Sequence, residues 1–316
     1  MTEMRTEPKI AILLSTYNGS KYLIEQLDSI LDQSYLNYVI VARDDGSCDD
    51  SLKILDEYSK KFIDKFHLLD QDNLNRGASG SFSYLIEYVL ENQELLGLAS
   101  AYMMFCDQDD IWCADKIVTQ VEAMLEAEED QTGKESLPLL IHSDLWVVSE
   151  EKSLIAESLV SYQGLEIDRN RFSNLVISNI VTGCTALINE ALARKAVPVS
   201  RQAIMHDWWL ALVATAFGKL VFIERPLVYY RQHGTNTIGA KESVKSTPMQ
   251  RSFWQETFAC KPNQHLSEVA CQAADFQKRF GRYLNTRDNI GLRISTCMGA
   301  RVGILQRMFY RVARRF

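Results

Sequence analysis

Short apolar runs alternate with amphipathic stretches through the first half of the chain. Ile10 to Leu14 is a continuous run rich in branched residues, as a buried strand of a parallel sheet requires, and the turn sequence Ser15-Thr16-Tyr17-Asn18-Gly19 follows it. From Tyr22 onward Leu23, Ile24, Leu27, Ile30 and Leu31 recur at helical spacing, and Tyr38 to Val41 reads as a second strand. The alternation continues with a helix over 50–61, a strand from Phe66 to Leu69, a helix over 79–91, and a strand from Tyr102 to Phe105 that runs straight into Asp107. Such alternation predicts an α/β, doubly wound, mostly parallel sheet, whose ligands sit beyond the C-terminal ends of its strands.

Three polar clusters fall at those ends: Ser15 to Asn18, Asp44-Asp45-Gly46-Ser47, and Asp107 to Asp110. They should converge on one crevice. After Pro138 another apolar strand leads to His142-Ser143-Asp144, and Gly218 to Ile223 and Leu227 to Tyr230 read as two short strands separated by Pro226. A catalytic domain over 1–240 and a helical region over 241–316 are the expected division.

Composition adds three constraints. The apolar fraction of 47% over 316 residues fills a sizeable core. Seven cysteines show no metal-binding or redox spacing, which fits a reducing compartment, and no segment has the length or apolarity of a signal or membrane span. The net charge of -7 is uneven: residues 276–316 hold ten Lys or Arg against one acid, Asp288, a surplus of nine positive charges that leaves about sixteen negative charges on the remainder.

The clusters carry chemistry with alternatives. Asp107 and Asp109 at a strand end point roughly the same way, as oxygen ligands of Mg²⁺ or Mn²⁺ would, but a solvated acidic turn has the same pattern. A carboxylate of Asp44-Asp45 could accept a nucleobase imide N–H, or the segment is an ordinary turn capping the next helix. Asp207, in Met205-His206-Asp207-Trp208-Trp209, serves equally as an N-cap or as a general base, and Trp208 and Trp209 either offer a platform for a sugar or fill core. Arg231 and His233, after a short strand, are natural partners of diphosphate oxygens, with His233 also able to ligate metal.

Taken jointly over about residues 8–240, these motifs, with Asp110-Ile111-Trp112 and Val181-Thr182-Gly183-Cys184-Thr185, resemble family 2 of the inverting glycosyltransferases, most closely the bacterial rhamnosyltransferases of cell-wall and O-antigen polysaccharides. The resemblance implies the GT-A fold: a Rossmann-like, mostly parallel mixed sheet flanked by helices, here with a C-terminal helical appendage. It implies a donor nucleotide pocket from Ser15, Tyr17, Asn18, Asp45 on the base, Arg76 and Gln108. It implies a divalent metal (Mn²⁺ or Mg²⁺) at Asp107 and Asp109, with Asp109 favoured and His233 assisting. Asp207 is implied as catalytic base, with His206, Trp208, Trp209, Arg231, Gly183 and Cys184 around the diphosphate and acceptor.

The donor expected from this resemblance is a nucleotide-diphosphate sugar, dTDP-β-L-rhamnose or a UDP-hexose, and the acceptor a lipid-linked oligosaccharide. In the tail, a helix over Arg301 to Phe316 would align Leu305, Met308, Phe309, Val312 and Phe316 beside Arg307, Arg311 and Arg314, the pattern of an interfacial helix on anionic lipid. The expected location is therefore cytoplasmic, peripheral at the inner face of the plasma membrane, with homo-oligomerisation left open. Nucleic-acid binding is disfavoured, because the rest of the chain is acidic and carries no recognition motif. A nucleotidyltransferase would need a basic Gly-rich triphosphate loop that is not evident, and a non-catalytic glycan-binding protein would not need Asp207 and the metal site together.

Overall fold

The structure is a computed structural model that describes residues 7–72, 74–130, 136–234 and 262–315. Its centre is a nine-stranded mixed sheet. Strands β1 (Ile10–Thr16), β2 (Tyr38–Asp44), β3 (Phe66–Leu68) and β4 (Tyr102–Cys106) are mutually parallel in the order β3-β2-β1-β4. They are joined by α1 (Ser20–Leu31), α2 (Ser51–Lys61), α3 (Gly77–Glu91) and the short α4 (Gln93–Leu96). Both faces of β1 and β2 are covered, which is why their apolar runs are continuous rather than alternating.

Beyond β4 the sheet becomes mixed. The two-residue β8 (Leu187–Ile188) runs antiparallel between β4 and β6 (Leu139–Val148), and β9 (Lys219–Arg231) then lies parallel to β6. Short β5 (Ile111–Trp112) and β7 (Leu154–Ala156) pair antiparallel with β9 and β6. The two strands expected around Pro226 are one long strand. Its pairing with β6 shifts register after Ser143 and resumes with Asp144 opposite Pro226, so the residue without an N–H sits at an irregularity of the ladder.

Helix α5 (Lys116–Glu129) joins α1 on one face of the sheet, and α3, α8 (Glu190–Ala196) and α9 (His206–Phe217) cover the other. Two short helices, α6 (Leu159–Gln163) and α7 (Phe172–Leu175), lie between β7 and β8 in the chain. The chain resumes in α10 (Gln264–Phe280), α11 (Thr286–Thr296) and α12 (Gly303–Ala313). The expected domain boundary near residue 240 lies outside the described residues. The terminal helices share the α9 core: Phe276 packs on Trp209 at 5.3 Å and on Phe172 at 5.2 Å between ring centroids, and Gln272 accepts the Ile204 N–H at 2.9 Å. Among the described residues no helix is long and apolar enough to cross a membrane.

Gly218 links α9 to β9 with its backbone pressed against Pro138, where β6 begins, and an added Cβ would overlap the Pro138 carbonyl oxygen. Backbone cannot swing aside as a side chain can. Gly218→Ala is therefore expected to destabilise the fold by about 1–3 kcal/mol, the usual cost of overpacking, read as a lower urea midpoint with an unchanged m-value; an unmoved midpoint would contradict the close packing.

Candidate active site

The turns after β1 and β2 are stitched to each other. Asn18, at φ 51°, donates its N–H to Ser47 Oγ at 2.8 Å and accepts the Cys48 N–H at 2.8 Å, while the Gly19 N–H reaches Ser51 Oγ at 2.9 Å. Gln108 crosses from the end of β4 to clasp the Tyr17 backbone, donating to its carbonyl at 3.0 Å and accepting its N–H at 2.7 Å. Position 19 must be glycine for this clasp, because a Cβ there would overlap the Gln108 carboxamide. Ser15 donates to Ser81 Oγ at 2.7 Å, and the Tyr17 side chain stands half exposed at the rim.

Asp44 ties the second turn: it accepts Thr16 Oγ1–H at 2.8 Å and the Ser47 N–H at 2.8 Å. Asp45, expected at the nucleobase, is 3% exposed and already engaged. It pairs with Arg43 and accepts the N–H groups of Arg76 and Gly77, each at 2.8 Å. Arg43, a buried cation in a buried strand, also bonds Asp72 at 2.9 Å and the Leu74 carbonyl at 2.7 Å. The Arg76 side chain pairs with Asp72 at 2.6 Å and lies over the Tyr84 ring at 4.7 Å. The carboxylate that sequence placed on a ligand here fastens a neighbouring loop.

Beyond β4 the chain gathers like charges. Burial first, then the carboxylates of Asp109 and Asp207, push the Asp107 carboxyl up to about 7. Asp110 is fully buried, its Oδ2 has no hydrogen-bond partner, and burial with Asp109 and Asp107 nearby holds it well above the carboxylate range. The potential ligand atoms of Asp107, Asp110 and Cys184 lie within 4.8 Å of one another. Burial also raises the Cys184 thiol well above its ordinary value, which makes it a poor ligand for a hard cation. Asp109 instead faces His233, with Oδ2 to Nε2 at 2.8 Å. Asp107, raised first by burial and then by Asp109 and Asp207, sits beside both groups, so this acidic corner could hold a divalent cation, whose positive charge would offset the crowded carboxylates.

The end of β9 differs from expectation in Arg231. Its guanidinium is 3% exposed and donates to the carbonyls of Asp109 at 3.0 Å and Glu150 at 2.9 Å, and to Glu25 on α1. It works as a clamp between α1, the loop after β6 and the acidic motif, rather than as an open diphosphate contact. His233 stacks on Tyr22 at 4.6 Å between ring centroids. Sequence reading saw Tyr22 only as the start of a helical period.

Asp207 sits in the first turn of α9, 7% exposed. It accepts the Trp208 N–H at 2.5 Å and an Asn179 amide N–H at 3.2 Å, and burial outweighs these donors to push its pKa up to about 7. Gly183 leaves the room: a Cβ there would stand 3.0 Å from His206 Nε2 and 3.6 Å from Asp207 Oδ2. Three expectations are corrected here. His206 does not line an open acceptor surface; it is 2% exposed, packed on Phe82 at 4.3 Å and Phe105 at 5.1 Å, and burial lowers its pKa to about 3. Trp208 and Trp209 form no sugar platform, because both are buried and their indole N–H groups bond the Leu175 and Ala196 carbonyls at 2.6 and 3.0 Å.

Residues 11–192 match the model of the family described as Glycosyl transferase family 2. Among curated proteins the chain is 28% identical over 242 residues to the dTDP-rhamnosyl transferase RfbG of Shigella flexneri, covering 74% of this chain and 76% of that protein. It is also 30% identical over 120 residues to the putative teichuronic acid biosynthesis glycosyltransferase TuaG of Bacillus subtilis, covering 38% of this chain and 43% of TuaG. Among solved structures, S. aureus TarS 1-349 in complex with UDP-GlcNAc superposes with a TM-score of 0.55 at 13% identity, over 92% of this chain and 71% of that one. The mannosyltransferase PcManGT from Pyrobaculum calidifontis, in complex with GDP-Man and Mn²⁺, gives 0.53 at 13% identity, over 98% and 76%. These likenesses establish the GT-A fold with its flanking helices and helical C-terminal region.

The raised Asp207 pKa has a consequence for stability. The native state keeps this proton up to about pH 7, whereas the unfolded chain releases it near the ordinary aspartate value of 3.8, so stability from this group is lost as pH rises between the two. Asp207→Asn removes that penalty. Its melting temperature should exceed the wild-type value at pH 8 and converge with it near pH 4; a difference independent of pH would contradict the buried, protonatable carboxyl.

Proposed function

The chain belongs to glycosyl transferase family 2, and from that premise we propose that it is an inverting rhamnosyltransferase moving L-rhamnose from dTDP-β-L-rhamnose to a hydroxyl of a lipid-linked bacterial glycan. One observation carries the mechanism: the buried Asp207 carboxylate, with a pKa of about 7, lies close enough to Asp107 to raise the latter's pKa. A base poised near neutrality beside a charge-gathering donor site is what glycosyl transfer requires. The rhamnose donor is supported by similarity to RfbG at 28% identity, and polysaccharide synthesis also by TuaG.

In this reading Ser15, Tyr17, Asn18 and Arg76 edge the nucleotide pocket, while Asp45 and Gln108 hold its walls through their backbone bonds. Asp107, Asp109 and His233 would hold Mn²⁺ or Mg²⁺, which supplies charge compensation to the leaving diphosphate. Asp207 takes the proton of the acceptor hydroxyl, and that oxygen bonds the anomeric carbon as the bond to the diphosphate breaks on the opposite side. Configuration inverts from β to α, and no covalent enzyme intermediate forms. The Trp208 N–H and Asn179 aim the carboxylate, and the rooted indoles keep the α9 terminus from shifting.

Asp207→Asn should lower transfer by at least about 100-fold, the lower range for a general base. Thermal stabilisation by dTDP with Mn²⁺ should persist in the variant. Turnover comparable to wild type would remove Asp207 from the base role, and product mass with a panel of dTDP and UDP sugars reads out the donor.

A lipid-linked acceptor is supported by the C-terminal helices, which carry a surface suited to an anionic membrane. On α12, Leu305, Met308 and Val312 stay exposed in one row, while Gly303, Gln306 and Ala313 are turned into the core and Phe309 is partly buried. Exposed Arg301, Arg311, Arg314 and Arg315 border that row. The full chain should float with vesicles containing phosphatidylglycerol and not with pure phosphatidylcholine, and Leu305→Glu with Met308→Glu should abolish flotation. Unchanged flotation of the double variant, or concentration-dependent dimerisation lost with these substitutions in place of lipid binding, would overturn the surface.

A further inference from the structure

The aromatic plate on the first turn of α1 has no part in the reading above, yet it is where the end of β9 comes to rest. Tyr22 stacks on the His233 imidazole at 4.6 Å between centroids with 28° between planes, and the Arg231 guanidinium lies 5.0 Å from the same ring centroid. The phenol is itself pinned, donating to Glu150 at 2.9 Å, and Glu150 also pairs with Lys21. Glu25, one turn further along α1, holds Arg231, whose Nε–H bonds the Asp109 carbonyl at 3.0 Å. The imidazole so placed meets Asp109 Oδ2 at 2.8 Å.

We propose that Tyr22 is the positioning residue for the metal site, its ring fixing the plane of the His233 imidazole so that Nε2 points at the Asp109 carboxylate. This rests on Asp109 and His233 as ligands of the divalent cation. A histidine on a strand-end segment otherwise rotates about two side-chain torsions, and a ligand that must be ordered when the cation binds gives up affinity to that ordering. Stacking removes the freedom beforehand. Residues that orient a ligating histidine from behind typically change metal affinity by about 10–100-fold when altered.

The geometry separates the ring from the hydroxyl. Tyr22→Phe keeps the stacked face and loses only the bond to Glu150, whereas Tyr22→Met keeps apolar bulk and loses the plate. Mn²⁺ binding to the full chain with dTDP, followed by the loss of the free Mn²⁺ electron paramagnetic resonance signal, reads this without any turnover. Tyr22→Met should weaken Mn²⁺ binding by about 10-fold or more, and Tyr22→Phe by no more than about 3-fold. The melting temperatures without metal should stay close to wild type.

Wild-type affinity in Tyr22→Met would overturn the inference while leaving the metal site in place. Equal losses in both variants would overturn it too, by transferring the effect to the Glu150 bond. If Tyr22→Met does not fold, Tyr22→Leu replaces it under the same criteria. His233→Ala and Asp109→Ala serve as controls: if the wild-type protein binds no Mn²⁺, or if both controls bind as tightly as wild type, the metal assignment itself falls and this inference with it.

Discussion

Mutual repulsion among buried carboxylates is the constraint on which the site depends. Asp107, Asp109 and Asp110 leave β4 within four residues of one another, and Asp207 arrives from a helix a hundred residues later. Left to itself such a group would move apart or into water. The fold prevents this by holding each one from a different direction. Asp110 is sealed beside Cys184, Asp109 meets His233, and Asp207 is fixed by the first turn of α9 and by Asn179. The result shows in the Asp107 carboxyl, raised to about 7 by burial and then by the Asp109 and Asp207 carboxylates, a cost that a cation can relieve, whereas Asp207 is raised by burial alone.

The neighbouring turns answer with an excess of local stitching. Gln108 grips both backbone groups of Tyr17, Asn18 and Ser47 cross-link the turns after β1 and β2, and Arg43 with Asp45 draws in the segment leading to α3. Much of the conspicuous polar sequence is therefore spent on holding backbone. Lys116 is held in the same way, a buried amine over the Trp112 indole at 4.0 Å that donates to Gln120 at 2.6 Å, its pKa lowered to about 7 by burial.

Local pattern made the first half of the fold legible. Short continuous apolar runs, rich in branched residues and bounded by turn signals, suit strands buried on both faces, so β1, β2 and β4 and the clusters at their ends could be read from sequence. Pro226 misled because a proline interrupts a regular ladder, whereas here it occupies a shift between β6 and β9. Arg231 and the two tryptophans misled for another reason: their residue types suit both ligand contact and burial, and only the positions of Glu25, Glu150, Phe276 and the Ala196 carbonyl decide between them. Those partners are distant in sequence. Arg43, a lone cation inside a buried strand, was the available signal that its turn is held by an ion pair.

The depth at which Trp208 and Trp209 are rooted explains how a proposed base can be both buried and exact in position. Asp207 precedes them on the same helical turn, and their indoles are bonded to the Leu175 and Ala196 carbonyls and packed into the core that α10 shares. Any displacement of the carboxylate along the helix axis would have to pull those rings out of that core. The C-terminal helices thus support the start of α9 from behind: Phe276 packs on Trp209, and Gln272 holds the chain just before α9. A region whose charge marked it as separate is mechanically continuous with the helix that carries Asp207. In the proposed reaction, the surface that α12 offers a membrane and the base on α9 are joined through one packed core, so docking at a lipid surface would orient the acceptor side.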